Sequence, residues 1–362
     1  MSTLMQASHQ WASRPSDQRF VNLHELHAYV QGVKDNSAAR VLSSRALQAV
    51  PTENDRNGLA LTGPNGHPVN MTHWSFGQLA VKVGAPANYL RSLPGAMAAD
   101  CLNYGLFKND AQDLGILLHK DNGNPMLRAV TGPNYGRVWN ATITRALVER
   151  FGDGLSGDFR IPGEFGEQVA ITKDNTTLYA SDRDMFVFLA DERHRIELPN
   201  RRDGQTGSLA RGFFVWNSET GSQTLGVSTF LFDYVCCNRI VWGARNVEEF
   251  RIRHTSKAPD RWLEEVAPAL EMYAQSSTRG LLANIEAARS ARVDDVDKFL
   301  AQRFAKNQVA AIKAAHMADE QRPIETLWDA ATGATAYARA IPFQDTRIEI
   351  EREAGRILEM AA

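Results

Sequence analysis

A polar step, Asn217-Ser218-Glu219, directly follows the apolar run Leu209–Trp216. An amide, a hydroxyl and a carboxylate at the end of a strand are groups that hydrogen-bond a ligand, and functional sites are often built at such places. With His254 and one further carboxylate, Glu219 would be suited to a catalytic metal ion. Ser218 has no Gly-x-Ser-x-Gly elbow and no neighbouring His, so the sequence does not support a nucleophilic serine.

A second feature is a local excess of basic residues. Between Arg193 and Arg261 the chain carries 11 Lys and Arg against 7 Asp and Glu, whereas its formal net charge is −2. On a strand, Arg251 and Arg253 project to one face, where they would form a groove for a phosphate backbone. The complete predicted nucleic-acid interface is Arg201, Arg202, Asn217, Ser218, Glu219, Arg239, Arg245, Arg251, Arg253, His254 and Lys257. A solvated, salt-bridged surface is the alternative and fits the charge count equally well.

Cofactor and metal motifs are missing from the sequence. No Gly-x-x-x-x-Gly-Lys-Ser/Thr loop occurs, and His24 and His27 are three residues apart where a zinc helix requires four. The three cysteines, Cys101, Cys236 and Cys237, have no Cys-x-x-Cys spacing. We therefore predict no cofactor and no metal, although a carboxylate site assembled across the fold stays open.

Targeting signals are also missing. The segment Met1–Arg19 has no apolar stretch long enough for a signal peptide, and the richest apolar run, Phe230–Trp242, is interrupted by Asp233, Asn238 and Arg239. The expectation is a soluble, cytoplasmic protein without membrane contact.

The elements that position these residues belong to a mixed fold. Turn residues between apolar runs predict a hairpin of Leu114–His119 with Met126–Val130. Further strands are predicted at Gln168–Thr172, Met185–Ala190, Leu209–Trp216, Arg239–Trp242 and Phe250–His254, and helices at Thr72–Val83, Ala85–Asn103, Asn140–Phe151 and Thr229–Cys237. Aromatic residues near the basic region have core spacing, with Trp216 the one candidate for exposure.

The prediction is an α+β fold with a central, mainly antiparallel sheet flanked by helices and a helical C-terminal region. It divides into a flexible tail (1–18), an α+β core (19–257) and the helical region (258–362).

Several segments in a fixed order resemble the phage/plasmid-like family catalogued as domain of unknown function 932. They are Leu127-Arg128-Ala129-Val130, Tyr135-Gly136-Arg137, the run from Phe214 to Gly221, the run from Cys237 to Gly243, and Arg251-Ile252-Arg253-His254. The resemblance extends from about Met71 to the C-terminus. It implies a setting among replication, recombination and defence functions of mobile elements and assigns no catalytic residue.

Three hypotheses follow. The first is a non-enzymatic, homo-oligomeric protein that binds nucleic acid, single-stranded DNA in preference to RNA, during recombination or replication of a phage or plasmid. The second is a metal-dependent enzyme acting on nucleic acid or nucleotides. The third is a protein that binds a host defence factor through its helical C-terminal half.

Overall fold

The chain forms both strands and helices, and the fold class is α+β, as predicted. The computed structural model describes residues 14–52, 55, 58–108, 110–121, 123–163, 169–199, 206–233, 238–240, 250–277, 279–341 and 344–361.

The strands are β1 (Arg19–Phe20), β2 (Ser37–Ser43), β3 (Gln48–Pro51), β4 (Leu59–Thr62), β5 (Pro68–Met71), β6 (Asp113–Asp121), β7 (Asn124–Thr131), β8 (Phe159–Arg160), β9 (Leu178–Ala180), β10 (Met185–Asp191), β11 (Ile196–Leu198), β12 (Gly207–Asn217), β13 (Leu225–Asp233), β14 (Asn238–Ile240) and β15 (Phe250–Ile252). The helices are α1 (Leu23–Asp35), α2 (His73–Lys82), α3 (Ala87–Ser92), α4 (Gly95–Lys108), α5 (Asn140–Phe151), α6 (Ala258–Arg261), α7 (Ala267–Gln275), α8 (Arg279–Ser290), α9 (Val296–Ala301), α10 (Lys306–Glu320), α11 (Leu327–Arg339) and α12 (Gln344–Glu359). A π-helical turn, Trp262–Val266, joins α6 to α7.

Two sheets replace the single central sheet of the prediction. The smaller sheet has the order β2-β6-β7-β5-β4-β3, with β5 and β7 parallel and the other pairs antiparallel. The larger sheet has the path β1-β9-β10-β12-β13-β14, with β8 on β10, β11 on β12 and β15 on β13. All pairs of the larger sheet are antiparallel.

Each sheet is packed against its own helices. The smaller sheet shares an apolar core with α2 and α4. One face of the larger sheet packs against α1, α5 and α7, and its β11–β13 region contributes to a separate core among the C-terminal helices. Every residue of β10 is buried, which agrees with the prediction that central strands are covered on both faces.

Two predicted helices begin where the sequence places them. Thr72 caps α2, because its hydroxyl accepts a hydrogen bond from the Ser75 amide. The helix α5 has the predicted limits, Asn140 and Phe151.

Three predicted elements are wrong. The predicted helix Thr229–Cys237 is instead part of β13 through Asp233, which pairs with β12 along eight positions, and residues 234–237 lie outside the described part. The described residues of Gln168–Thr172 form no strand. The predicted helix Ala85–Asn103 is divided into α3 and α4, because Pro94 holds Leu93 in an extended conformation.

The described helices include none that is both long and apolar enough to cross a membrane. The predicted division into three regions stays a prediction. The described part of the predicted tail begins with Arg14, whose Nη2 is 2.8 Å from Asp184 Oδ2.

Candidate functional site

The loop after β12 is polar and buried, although connecting loops usually lie at the surface. Asn217, Ser218 and Thr220 have no exposed area, and Glu219 is 1% exposed. Buried polar groups need hydrogen-bond partners, since an unpaired one costs about 1–3 kcal/mol. The neighbouring elements supply most of these partners, and only Asn217 Oδ1 has none among the described residues of this loop.

Glu219 links the two sheets through an ion pair. Its Oε2 is 3.1 Å from Nη1 of Arg128 on β7, and the two side chains are 1% and 5% exposed. Its Oε1 accepts a hydrogen bond of 2.8 Å from the Asn140 amide in the first turn of α5. A carboxylate at a helix N-terminus is favoured by the helix dipole. Both oxygens of Glu219 are therefore engaged within the protein.

The hydroxyls of the loop bind one carbonyl. Ser218, Thr220 and Ser222 donate to the Arg183 carbonyl oxygen over 2.6, 3.1 and 3.2 Å. The Thr220 carbonyl in turn accepts hydrogen bonds from Trp74 and Gln78 of α2, at 3.1 and 2.7 Å. The loop thus fastens the larger sheet to the helix that covers the smaller one.

Asn217 holds the start of α5. Its amide nitrogen donates to the Val138 carbonyl at 2.8 Å and to Asn140 Oδ1 at 2.7 Å. Because Asn217, Ser218 and Glu219 are buried, they position neighbouring segments and do not reach a ligand in solvent. Their predicted direct contact with nucleic acid is not supported by this placement.

A second segment of the site runs from Gly132 to Trp139 and lies against the chain after β15. Gly136 donates from its amide to the His254 carbonyl at 3.0 Å, and His254 Nδ1 is 3.1 Å from the Gly136 carbonyl oxygen. Only glycine fits at position 136, because a Cβ there would lie 1.7 Å from the Thr255 carbonyl oxygen. The rings of Tyr135 and His254 stack with centroids 4.7 Å apart. Burial lowers the pKa of His254, and its backbone hydrogen bonds oppose that shift.

Arg137 connects this segment to the buried loop. Its Nε donates to the Glu219 carbonyl at 2.8 Å, and its guanidinium lies 5.3 Å from the Tyr135 ring centroid and 5.8 Å from that of Trp139. Burial lowers the pKa of Arg137, while the nearby Glu219 and Tyr135 oppose the shift. Its Nη2 is buried and has no hydrogen-bond partner among the described residues.

A cleft of about 160 Å³ opens beside Arg137. It is lined by Ala39, Arg40, Val41, Gly115, Ile116, Thr131, Gly132, Pro133, Tyr135 and Arg137. Arg40, on the exposed edge strand β2, is the second cation of this cleft. Arg40, Arg128 and Arg137 are not among the site residues predicted from the sequence. Arg128 had a detectable signal, since it is a lone charge in the apolar stretch from Leu127 to Val130.

The predicted cations nearest this site are exposed. Arg251 and Arg253 flank the buried Ile252, and Lys257 follows in the turn that leads into α6. Because side chains alternate between the two faces of an extended chain, Arg251 on β15 and Arg253 directly after it lie on the same outer side. Because Gly136 binds His254, these cations and the segment from Gly132 to Trp139 are parts of one continuous surface.

Other arginines of the basic region are structural. Arg193 pairs with Asp158, Arg195 with Glu192, Arg211 with Asp191 and Arg261 with Glu265. Three of these carboxylates lie before residue 193, outside the interval in which the charges were counted. The basic excess is therefore smaller in three dimensions than along the chain.

The other residues of the predicted interface have no described side chain. Arg201, Arg202 and Arg245 lie outside the described residues, and Arg239 is described only as a backbone position of β14. Trp216 is 7% exposed, so it belongs to the core with the neighbouring aromatic residues. Among the residues that the model describes, no group of three or more His, Cys, Asp or Glu side chains is arranged to hold a metal ion.

The family model described as Domain of unknown function (DUF932) matches residues 167–352. This interval contains the buried loop and β15, whereas Arg40, Arg128 and Arg137 precede it. No curated protein and no solved structure matches the chain.

Proposed function

Because this chain belongs to the DUF932 family, a domain family of unknown function, we propose from its surface chemistry that it is a non-enzymatic protein that binds single-stranded nucleic acid. The observation that carries the proposal is a row of three exposed cations: Arg251 on β15, Arg253 directly after it, and Lys257 in the turn before α6. Phosphate contacts supply most of the affinity for a nucleic-acid backbone, and Lys and Arg make them.

The shape of this row favours a single strand. Side chains two residues apart on a strand are separated by about 6.6 Å. Arg251 on β15 and Arg253, the first residue after it, flank the buried Ile252 at about this spacing and follow one line. A line of cations follows one phosphate backbone, whereas duplex sequence is read by a helix or ribbon placed in a groove.

The backbone beneath these cations is fixed. Gly136 is hydrogen-bonded to His254, and the same segment is tied through Arg137 to the Glu219 carbonyl. In this proposal Asn217, Ser218 and Glu219 hold the surface in place without touching the ligand. Preorganised cations bind with less entropic cost than mobile ones.

Three cations per chain give weak binding, and repetition of the surface in a homo-oligomer would strengthen it through effective concentration. DNA as the polymer, a phage or plasmid setting and a role in recombination or replication follow from the resemblance described above. We include them in the proposal. The hypothesis of a metal-dependent enzyme is less well supported, because both carboxylate oxygens of Glu219, its proposed metal ligand, already bind groups of the protein.

Charge reversal tests the proposal. The triple variant Arg251→Glu, Arg253→Glu, Lys257→Glu is expected to bind a labelled single-stranded oligonucleotide at least about 100-fold more weakly than the natural chain, since phosphate contacts become repulsions. Fluorescence anisotropy measures the affinity, and circular dichroism checks that the variant is folded.

The matched control reverses three exposed charges of the helical region, Arg279, Lys298 and Lys306. The control changes the net charge by the same amount as the triple variant. Equal weakening of oligonucleotide binding in both variants would mean that Arg251, Arg253 and Lys257 have no specific role.

A further inference from the structure

The cleft beside Arg137 has the composition of an anion site. It is lined by Arg40 and Arg137, and no Asp or Glu occurs among the described residues that line it. Among the described residues neither arginine has an ion pair, and Arg137 donates one side-chain hydrogen bond, from its Nε. Two positive groups around one depression focus the field and attract an anion.

Two larger clefts of this protein differ in this respect. In one, of about 340 Å³, Arg150 is 3.3 Å from Glu271. In the other, of about 490 Å³, Arg160 is 2.7 Å from Glu192 and Arg193 is paired with Asp158. Their arginines form ion pairs within the protein, whereas Arg40 and Arg137 form none with a described residue.

Size limits the anion that fits. A cleft of about 160 Å³ has the volume of roughly five water molecules, at about 30 Å³ each. Pockets for whole drug-sized molecules begin at about 300 Å³. A single tetrahedral oxyanion fits this space.

The guanidinium of Arg137 is held in place by its neighbours. Its Nε is fixed by the Glu219 carbonyl, and the rings of Tyr135 and Trp139 limit its movement. Its buried Nη2 has no partner among the described residues, so the group has unused hydrogen-bonding capacity. Guanidinium groups bind phosphate through two parallel N–H donors.

We propose that this cleft binds one phosphate group between Arg40 and Arg137. The group is either free inorganic phosphate or a phosphate of a bound strand, since the chemistry of recognition is the same. The inference goes beyond the proposed function, because the cleft takes a phosphate whether or not Arg251, Arg253 and Lys257 bind a strand.

The test titrates the full chain with sodium phosphate at constant ionic strength, by calorimetry, in the natural form and as Arg40→Gln and Arg279→Gln. Arg40 is exposed, so its replacement leaves the fold intact, and Arg279 is an exposed arginine of α8 that serves as the control. Saturable binding that Arg40→Gln weakens roughly tenfold and Arg279→Gln leaves unchanged supports the proposal. No saturable binding, or equal binding by Arg40→Gln and the natural chain, overturns it.

A second arm identifies the source of the phosphate. A single-stranded oligonucleotide that displaces inorganic phosphate places a strand phosphate in the cleft, whereas simultaneous binding assigns the cleft to free phosphate. If the oligonucleotide does not bind at all, the proposed function fails, and the phosphate titration alone still decides the cleft.

Discussion

Replacing Glu219 with glutamine is expected to lower the free energy of unfolding by about 3 kcal/mol or more, because Arg128 is left as a buried charge without its partner. The two side chains are 1% and 5% exposed, and their ion pair joins the two sheets. Under the hypothesis of a metal-dependent enzyme, Glu219→Gln would remove activity and leave folding intact. We instead expect a loss of stability, because both carboxylate oxygens of Glu219 bind groups of the protein. Urea unfolding followed by circular dichroism measures the loss.

The control removes both charges. Arg128→Met together with Glu219→Gln eliminates the uncompensated cation and keeps an acceptor for the Asn140 amide. We expect this double variant to be more stable than Glu219→Gln alone, because coupled buried partners are not additive. Full stability of the single variant would show that the ion pair does not hold the sheets together.

Replacing Arg211 with methionine is expected to cost about 3–5 kcal/mol of unfolding free energy, the cost of breaking a buried ion pair. Asp191 has no exposed area, and its Oδ2 is 3.1 Å from Arg211 Nη2. The same guanidinium donates to the carbonyls of Tyr273, Ala274 and Ser276 at the end of α7. Its loss would leave a buried carboxylate and the last carbonyls of a helix without their main donor.

A matched control lies in the same basic region. Arg193 and its partner Asp158 are both more than half exposed, and their N–O distance is 3.4 Å. Exposed pairs contribute about 0–1 kcal/mol, so Arg193→Met is expected to leave the unfolding midpoint nearly unchanged. Equal effects of the two variants in urea unfolding would contradict the structural role of Arg211. Retained oligonucleotide binding by folded Arg211→Met would agree with that role.

Local signals in the sequence predicted the elements that depend on neighbours along the chain. The capping threonine of α2, the limits of α5 and the β6–β7 hairpin depend on residues close in sequence, and each is found. The division between α3 and α4 was also detectable, because Pro94 is a local signal that the helical pattern outweighed.

Other features depend on partners distant in the chain. The segment from Thr229 to Asp233 has apolar residues compatible with a helix or a buried strand, and its pairing with β12 decides for the strand. Asn217, Ser218 and Glu219 are polar residues of the kind found in exposed sites, yet all three are buried. The partners of Glu219 and Asn217 are Arg128 and Asn140, which lie more than 75 residues earlier in the chain. Spacing within one segment does not contain that information.

The basic surface was only partly predicted, because ion-pair partners distant in the chain cannot be identified from local spacing. Counting charges identified the region of Arg251, Arg253 and Lys257, but it also included Arg211, whose carboxylate partner lies outside the interval. Arg40 and Arg137 are nearly 100 residues apart and meet in one cleft only after the smaller sheet has formed.

The most direct test of nucleic-acid binding is a salt series. The purified chain is titrated into labelled single-stranded and double-stranded DNA at several salt concentrations, and its mass in solution is recorded in the same buffers. Three phosphate contacts on a single strand give a slope of about −2 in a plot of log affinity against log salt, or about a 20-fold loss between about 50 and 200 mM. We predict this slope or a steeper one, a preference for the single strand, and a mass greater than one chain. Absence of binding to either DNA, or single-strand affinity that does not change with salt, would contradict the account.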